Sequence, residues 1–245
     1  MVSYSLIFTW YSSSDGNLGL TSFGLYLFSI FQILIALAIT LHFRCMLSEP
    51  GATPFYEVPG DIPLELIKYC NECEQWKPPR THHCRACKLC FHKYDHHCPW
   101  VNNCIAVNNQ KFFILFLLYT TAASILTLII IGMSVYEYFK CQEDVTFDPI
   151  KLIFTAIVGI LAAFFIFFLG GLLIEHISLA AKNQTTVESQ QDMYGTPYSL
   201  LKCFSLVFGR NYWAWLLPLS SSIDINYLEP IYSYDERKRL ISKDD

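Results

Sequence analysis

The chain has 245 residues and a formal net charge of -4; 53% of it is apolar and only 16% charged. That balance is too apolar for an ordinary soluble domain and points to a bilayer as its solvent. No basic stretch is interleaved with aromatics, which excludes a nucleic-acid groove.

Residues 1–12 are apolar but only about half a span long, and no basic residue precedes them as a signal peptide would require. They are expected to form a partial first span. Crossing a bilayer takes about 20 apolar residues at roughly 1.5 Å rise each. Three runs meet that length, near 22–43, 112–135 and 152–175, and none holds a charge in its interior. The third contains Gly170-Gly171, where a neighbouring helix can approach closely.

Orientation follows from the cations. Eight Lys and Arg lie from Arg44 to Lys111, seven from Lys182 to Lys243, two between the second and third runs, and none before Arg44. Segments rich in Lys and Arg stay cytosolic, so the 44–111 loop and the tail share that side. Between Tyr198 and Leu219 the tail is aromatic (Phe204, Phe208, Tyr212, Trp213, Trp215) and broken by Gly209 and Pro218. This predicts an interfacial segment, followed by a solvated end over 235–245. The expected organisation is a partial span and a complete helix over 1–43, a cytosolic cysteine-rich domain over 44–111, two helices over 112–175, and a cytosolic tail over 176–245. The fold class is an all-α polytopic membrane protein, a transmembrane helix bundle carrying that zinc-binding domain.

Seven of the ten cysteines fall between Cys70 and Cys104, together with five of the seven histidines. An odd cluster cannot pair off in disulfides, and thiolate with imidazole is what zinc prefers in a reducing compartment. Cys70-x2-Cys73 opens the loop, His83-Cys84-x2-Cys87-x2-Cys90 follows, and His97-Cys98 and Cys104 close it. Two intervening residues let a tight turn present both sulfurs to one ion. Two four-ligand sites need eight donors, which six cysteines and two histidines supply, leaving one cysteine over. So small a loop has no core of its own, so metal binding would supply its folding free energy.

Only Cys98 has an acid and an imidazole just upstream. Asp95, His96 and Cys98 can form an orienting carboxylate, a base and a nucleophile, the chemistry of covalent acyl transfer. Spacing alone leaves a second reading open, in which Cys98 ligates zinc and Asp95 orients a ligand histidine. Pro99-Trp100 and Lys111, just before the second run, set the site at the membrane surface.

These residues, with Lys77-Pro78-Pro79-Arg80, Asp95-His96-His97-Cys98-Pro99-Trp100 and Asn102-Asn103-Cys104, resemble the DHHC-type protein S-acyltransferases. Glu49-Pro50-Gly51 and Thr185-Thr186-Val187-Glu188 extend the resemblance. It implies a palmitoyltransferase that autoacylates Cys98 from palmitoyl-coenzyme A and passes the thioester to cysteines of membrane-associated substrate proteins, on a Golgi or endoplasmic reticulum membrane. By the same resemblance Asp95 polarises His96, His96 is the base, and His97 binds zinc. The implied ligand sets interleave: Cys70, Cys73, His83 and Cys90 on one structural Zn2+, Cys84, Cys87, His97 and Cys104 on the other. Trp100 would pack by the thioester, Lys77, Arg80 and His82 would meet the coenzyme phosphates, and Thr186 and Glu188 would brace the site.

The family has four spans, whereas the first here is a fragment. Ala106, Gln110, Cys203 and Phe204 also depart from the family pattern. The alternative expectation is a zinc-binding membrane scaffold with weak catalysis.

Overall fold

The computed structural model describes residues 22–53, 68–140, 149–220, 229–233, 235–236 and 240. The expected partial span over 1–12 lies outside them. Three long helices dominate: α1 (Ser22–Leu47), α2 (Gln110–Lys140) and α3 (Pro149–Ala181). Each extends the apolar run read from sequence by a turn or so at one or both ends. Each is long and apolar enough to cross a membrane, which makes this an integral membrane protein.

Local chemistry sets their ends. α1 stops at Glu49-Pro50-Gly51, where proline disfavours helix in the residue before it and Gly51 takes a φ of 109°. A Cβ at Gly51 would also lie 2.5 Å from the Val107 side chain. Glu49 closes the turn by accepting the Gly51 N–H at 2.9 Å and an Asn108 amide hydrogen at 3.1 Å. α2 is preceded by Asn109, which accepts the Ala106 N–H and donates to the Cys104 carbonyl.

The chain divides into two compact units. The first comprises residues 1–39 and 116–173. Within it Leu27 and Ile130 are buried with Phe28, Leu126 and Met133 against them, joining α1 to α2. Gly170 of α3 would place a Cβ 3.6 Å from Thr121 of α2, an ordinary contact. Much of α3 is bare: Phe167 is 85% exposed, and Ile160, Leu161 and Phe164 are exposed as well. In water that surface would drive aggregation; in hydrocarbon it costs nothing.

The second unit, residues 40–115 and 174–245, holds four antiparallel two-stranded sheets among its described residues, which corrects the all-α expectation. Strands β1 (Lys68–Cys70) and β2 (Gln75–Lys77) pair, as do β3 (Thr81–Cys84) with β4 (Leu89–His92) and β5 (His96–Cys98) with β6 (Asn103–Ile105). A segment of this size lacks the apolar stripe a helix needs to bury. Tight hairpins present ligand side chains instead, and that requirement overrides helix propensity. The tail adds α4 (Thr186–Gln190), α5 (Leu200–Phe208), a 3-10 turn over Tyr212–Ala214, and β7 (Met193–Gly195) paired with β8 (Ile231–Ser233).

Candidate active site and metal centres

The hairpin registers place cysteine and histidine opposite one another. His83 faces Cys90 across β3 and β4, and His97 faces Cys104 across β5 and β6. Side chains alternate along a strand, so neighbours His83 and Cys84 must point to opposite sides. Accordingly two four-donor groups form: Cys70, Cys73, His83 and Cys90, then Cys84, Cys87, His97 and Cys104. They are the interleaved sets that the resemblance implied.

Their dimensions suit zinc. A tetrahedral ion holding sulfur at about 2.3 Å and nitrogen at about 2.0 Å sets its ligands about 3.8 Å apart for two sulfurs and about 3.6 Å for sulfur and nitrogen. Here Cys73 Sγ and Cys70 Sγ lie 3.2 and 3.5 Å from His83 Nδ1, and Cys90 Sγ lies 3.7 Å from Cys73 Sγ. In the second group Cys87 Sγ is 3.3 Å from Cys104 Sγ and 3.5 Å from His97 Nδ1.

The same alternation divides the Asp-His-His-Cys run. His96 and Cys98 share one face of β5 and His97 takes the other, toward the second donor group. Asp95, immediately before the strand, is fully buried. Its Oδ2 accepts a hydrogen bond from His96 Nδ1 at 2.6 Å. That leaves Nε2 as the ring nitrogen able to meet Cys98, which stands on the same face of the strand and feels the charge of the imidazole.

Electrostatics follow the geometry. Burial alone would push the Asp95 carboxyl up, but the His96 hydrogen bond leads a set of contacts that hold it below the usual range. Burial likewise opposes a charged His96, yet Asp95 and Cys98 outweigh it and raise the imidazole to about 9. Desolvation works against a Cys98 thiolate too. His96, with the N–H groups of Val101 and Trp100, brings that thiol below its ordinary value. His96 is therefore placed to take the Cys98 proton and leave the thiolate, the form in which a cysteine attacks.

Thr185 and Thr186 open α4 and hold this array. Thr185 is the N-cap and forms a reciprocal capping box with Glu188. Thr186 donates its backbone N–H to Asp95 Oδ1 at 2.8 Å and its hydroxyl to Oδ2 at 3.0 Å. Glu188, fully buried, binds Arg80 through both oxygens at 2.7 Å. Arg80 also donates to Glu229 Oε2 and to the side chain and carbonyl of Asn183. Its guanidinium is thus spent within the protein, and Gly195 packs so close that a Cβ there would lie 2.6 Å from Nη1. The expectation that Arg80 meets coenzyme phosphates gives way to a bracing role that ties β3 to the tail.

Of the other expected contacts, Trp100 is 78% exposed in the β5–β6 turn, and Lys77 and His82 are half-buried on β2 and β3. Lys77 pairs directly with Lys68 across β1 and β2. Burial holds the His82 imidazole below its usual value, and the two lysines push it the same way. Lys111 is buried, its ammonium donating to the Ala214 and Leu219 carbonyls, so it anchors the tail to the start of α2.

Sequence reasoning passed over His176. It sits near the end of α3, 4% of its side chain exposed, with Nδ1 3.8 Å from Asp95 Oδ2. The ring lies 5.8 Å from that of His96 and 5.0 Å, edge to face, from that of Phe113. A lone imidazole in a membrane helix was the available signal, since intramembrane ionisable groups are by default functional.

The model of the DHHC palmitoyltransferase family matches residues 65–193. Probable protein S-acyltransferase 12 of Arabidopsis thaliana is 34% identical over 215 residues, 80% of this chain and 74% of that protein. Probable protein S-acyltransferase 14 of the same plant is 31% identical over 243 residues, 88% of this chain and 79% of its own length. Palmitoyltransferase ZDHHC3 of Homo sapiens is 42% identical over 122 residues, 47% and 40% of the two chains. The class that these matches share with the fold is the membrane-embedded S-acyltransferases. The chain belongs to the DHHC palmitoyltransferase family.

Proposed function

We propose that Cys98 is the acyl carrier, loaded from long-chain acyl-coenzyme A and discharged to cysteine thiols of membrane-associated proteins. As a member of its family the chain is a protein-cysteine S-palmitoyltransferase; the two-step course and the residue roles are the content of this reading. The observation that carries it is the placement of Cys98. It belongs to neither four-donor group, and beside it lies an imidazole held by a buried carboxylate.

In the first half-reaction the Cys98 thiolate attacks the thioester carbonyl, the carbon–sulfur bond to the coenzyme breaks, and the coenzyme thiolate takes the proton from His96. In the second, His96 removes a proton from the substrate thiol, whose sulfur attacks the Cys98 thioester and returns Cys98 as the leaving thiolate. Asp95 fixes the tautomer of His96, and Thr186 fixes Asp95. Two zinc ions, held by Cys70, Cys73, His83 and Cys90 and by Cys84, Cys87, His97 and Cys104, would supply the folding free energy of the loop.

Lys68 and Lys77 form a cationic patch suited to the coenzyme phosphates, with the His82 imidazole beside it as a neutral donor, since two lysines directly opposed on paired strands repel unless an anion lies over them. The lysine and arginine asymmetry supports a site on the cytosolic side. A chase experiment tests the two-step course: enzyme loaded with labelled palmitate and freed of coenzyme should pass the label to a cysteine peptide. Label that never leaves the enzyme refutes the carrier role.

A further inference from the structure

We infer that Asp95, His96 and His176 form a third metal site, one that takes Zn2+ at the catalytic centre and silences it. Two observations converge. The ligating atoms of these three residues all lie within 4.8 Å of one another, within one compact unit. Independently, His176 Nδ1 is buried and has no hydrogen-bond partner among the described residues. A buried polar atom without a partner is destabilising, so the site is poised for a ligand that would satisfy it. At 3.8 Å from Asp95 Oδ2 it is too far for a hydrogen bond but aimed at the same oxygen.

The donor set suits zinc. Two imidazoles and one carboxylate leave a fourth position open, as in non-structural zinc sites. Tetrahedral zinc with nitrogen and oxygen donors at about 2.0 Å needs them about 3.3 Å apart. The His96 Nδ1 to Asp95 Oδ2 distance of 2.6 Å must open and the His176 distance of 3.8 Å must close. Both shifts are smaller than about 1 Å, within the reach of a side-chain rotation. Thr186 remains on Asp95 Oδ1 and keeps the carboxylate anchored.

Inhibition follows from the imidazole itself. Zinc binds the lone pair of His96 Nδ1, so the Nδ1 proton is released to solvent and the one remaining N–H sits on Nε2. A neutral imidazole carries a single N–H. With it on Nε2, facing Cys98, the ring cannot accept a proton from a thiol. The ion thereby removes the base without touching the nucleophile or the two structural groups.

The loss of catalysis rests on the proposed role of His96; the binding of a third ion does not. The test therefore reads both. Purified full-length protein is equilibrated with graded, buffered free Zn2+, and bound zinc is counted by elemental analysis while autoacylation is followed with labelled palmitoyl-coenzyme A. Wild type should rise from two to three ions per chain, with labelling falling along the same curve. His176→Ala should stay at two, and its labelling, taken relative to its own low-zinc rate, should resist zinc to at least about tenfold higher concentration. If His176→Ala loses the two structural ions, His176→Gln, closer in volume, is used instead.

Wild type saturating at two ions overturns the site, as does a third ion retained by the His176 variants. Inhibition without uptake of a third ion overturns it equally. Wild type that takes up a third ion but never acylates leaves the site standing and refutes the carrier role of Cys98.

Discussion

Replacing Asp95 by Asn tests the arrangement at its tightest point. The carboxylate accepts three hydrogen bonds, from His96 Nδ1 and from the N–H and hydroxyl of Thr186. An asparagine has one oxygen to offer. If that oxygen keeps the Thr186 N–H, the amide nitrogen takes the place of Oδ2 and donates to His96 Nδ1; the imidazole must then carry its hydrogen on Nε2, toward Cys98. The reverse flip restores the tautomer but sets an amide N–H against the Thr186 N–H. Leaving such buried donors unsatisfied costs about 1–3 kcal/mol. Neither orientation retains the charge that stabilises an imidazolium. Neutralising the carboxylate behind a catalytic imidazole lowers turnover by about 10⁴-fold in the serine-protease triad. The expected loss here is roughly 10³–10⁴-fold, about 4–5.5 kcal/mol in barrier.

Single-turnover autoacylation measures it, with zinc content as the control for folding. Two ions retained and a rate within about tenfold of wild type would refute the tautomer argument, since a loss so small lies far below the one a wrong tautomer gives.

Three further outcomes follow from the same geometry. The Cys98 thiol is held below its ordinary value by His96 while burial works to raise it; alkylation of Cys98 by iodoacetamide should therefore reach its plateau below the usual thiol range as pH rises. His96→Ala should move that midpoint upward, and an unmoved midpoint contradicts the pairing. Glu188→Gln leaves Arg80 buried with half its counter-charge; breaking such a pair costs about 3–5 kcal/mol, to be read as a lower melting temperature in detergent, whereas an unchanged melt shows that the pair contributes no net stability. Cys98→Ala should keep two zinc ions per chain while Cys84→Ala loses at least one and misfolds, and loss of metal from Cys98→Ala would place Cys98 among the ligands.

The helices were legible in composition alone, because the bilayer imposes a length and removes the polar face. Legibility of the loop was uneven. Cys-x2-Cys spacing reported metal binding, but the partition of eight donors between two ions came from the family resemblance, since it depends on hairpin registers that joined residues such as His83 and Cys90 only in the fold. Had 96–98 been read as a strand, period-two alternation would have separated His97 from His96 and Cys98 without any relative. The buried partners of Arg80 were invisible, as Asn183, Glu188 and Glu229 lie 103 to 149 residues away, and a surface cation beside two prolines looked free for phosphate. His176 escaped because it stands just beyond the apolar run that defined its helix.

The carrier role of Cys98 is tested most directly by hydroxylamine-sensitive autoacylation of the purified protein with labelled palmitoyl-coenzyme A, the label mapped by mass spectrometry in wild type and Cys98→Ala. The account predicts label on Cys98 in wild type and none in the variant. Equal labelling of both, or label mapped to another cysteine such as Cys45, would contradict it.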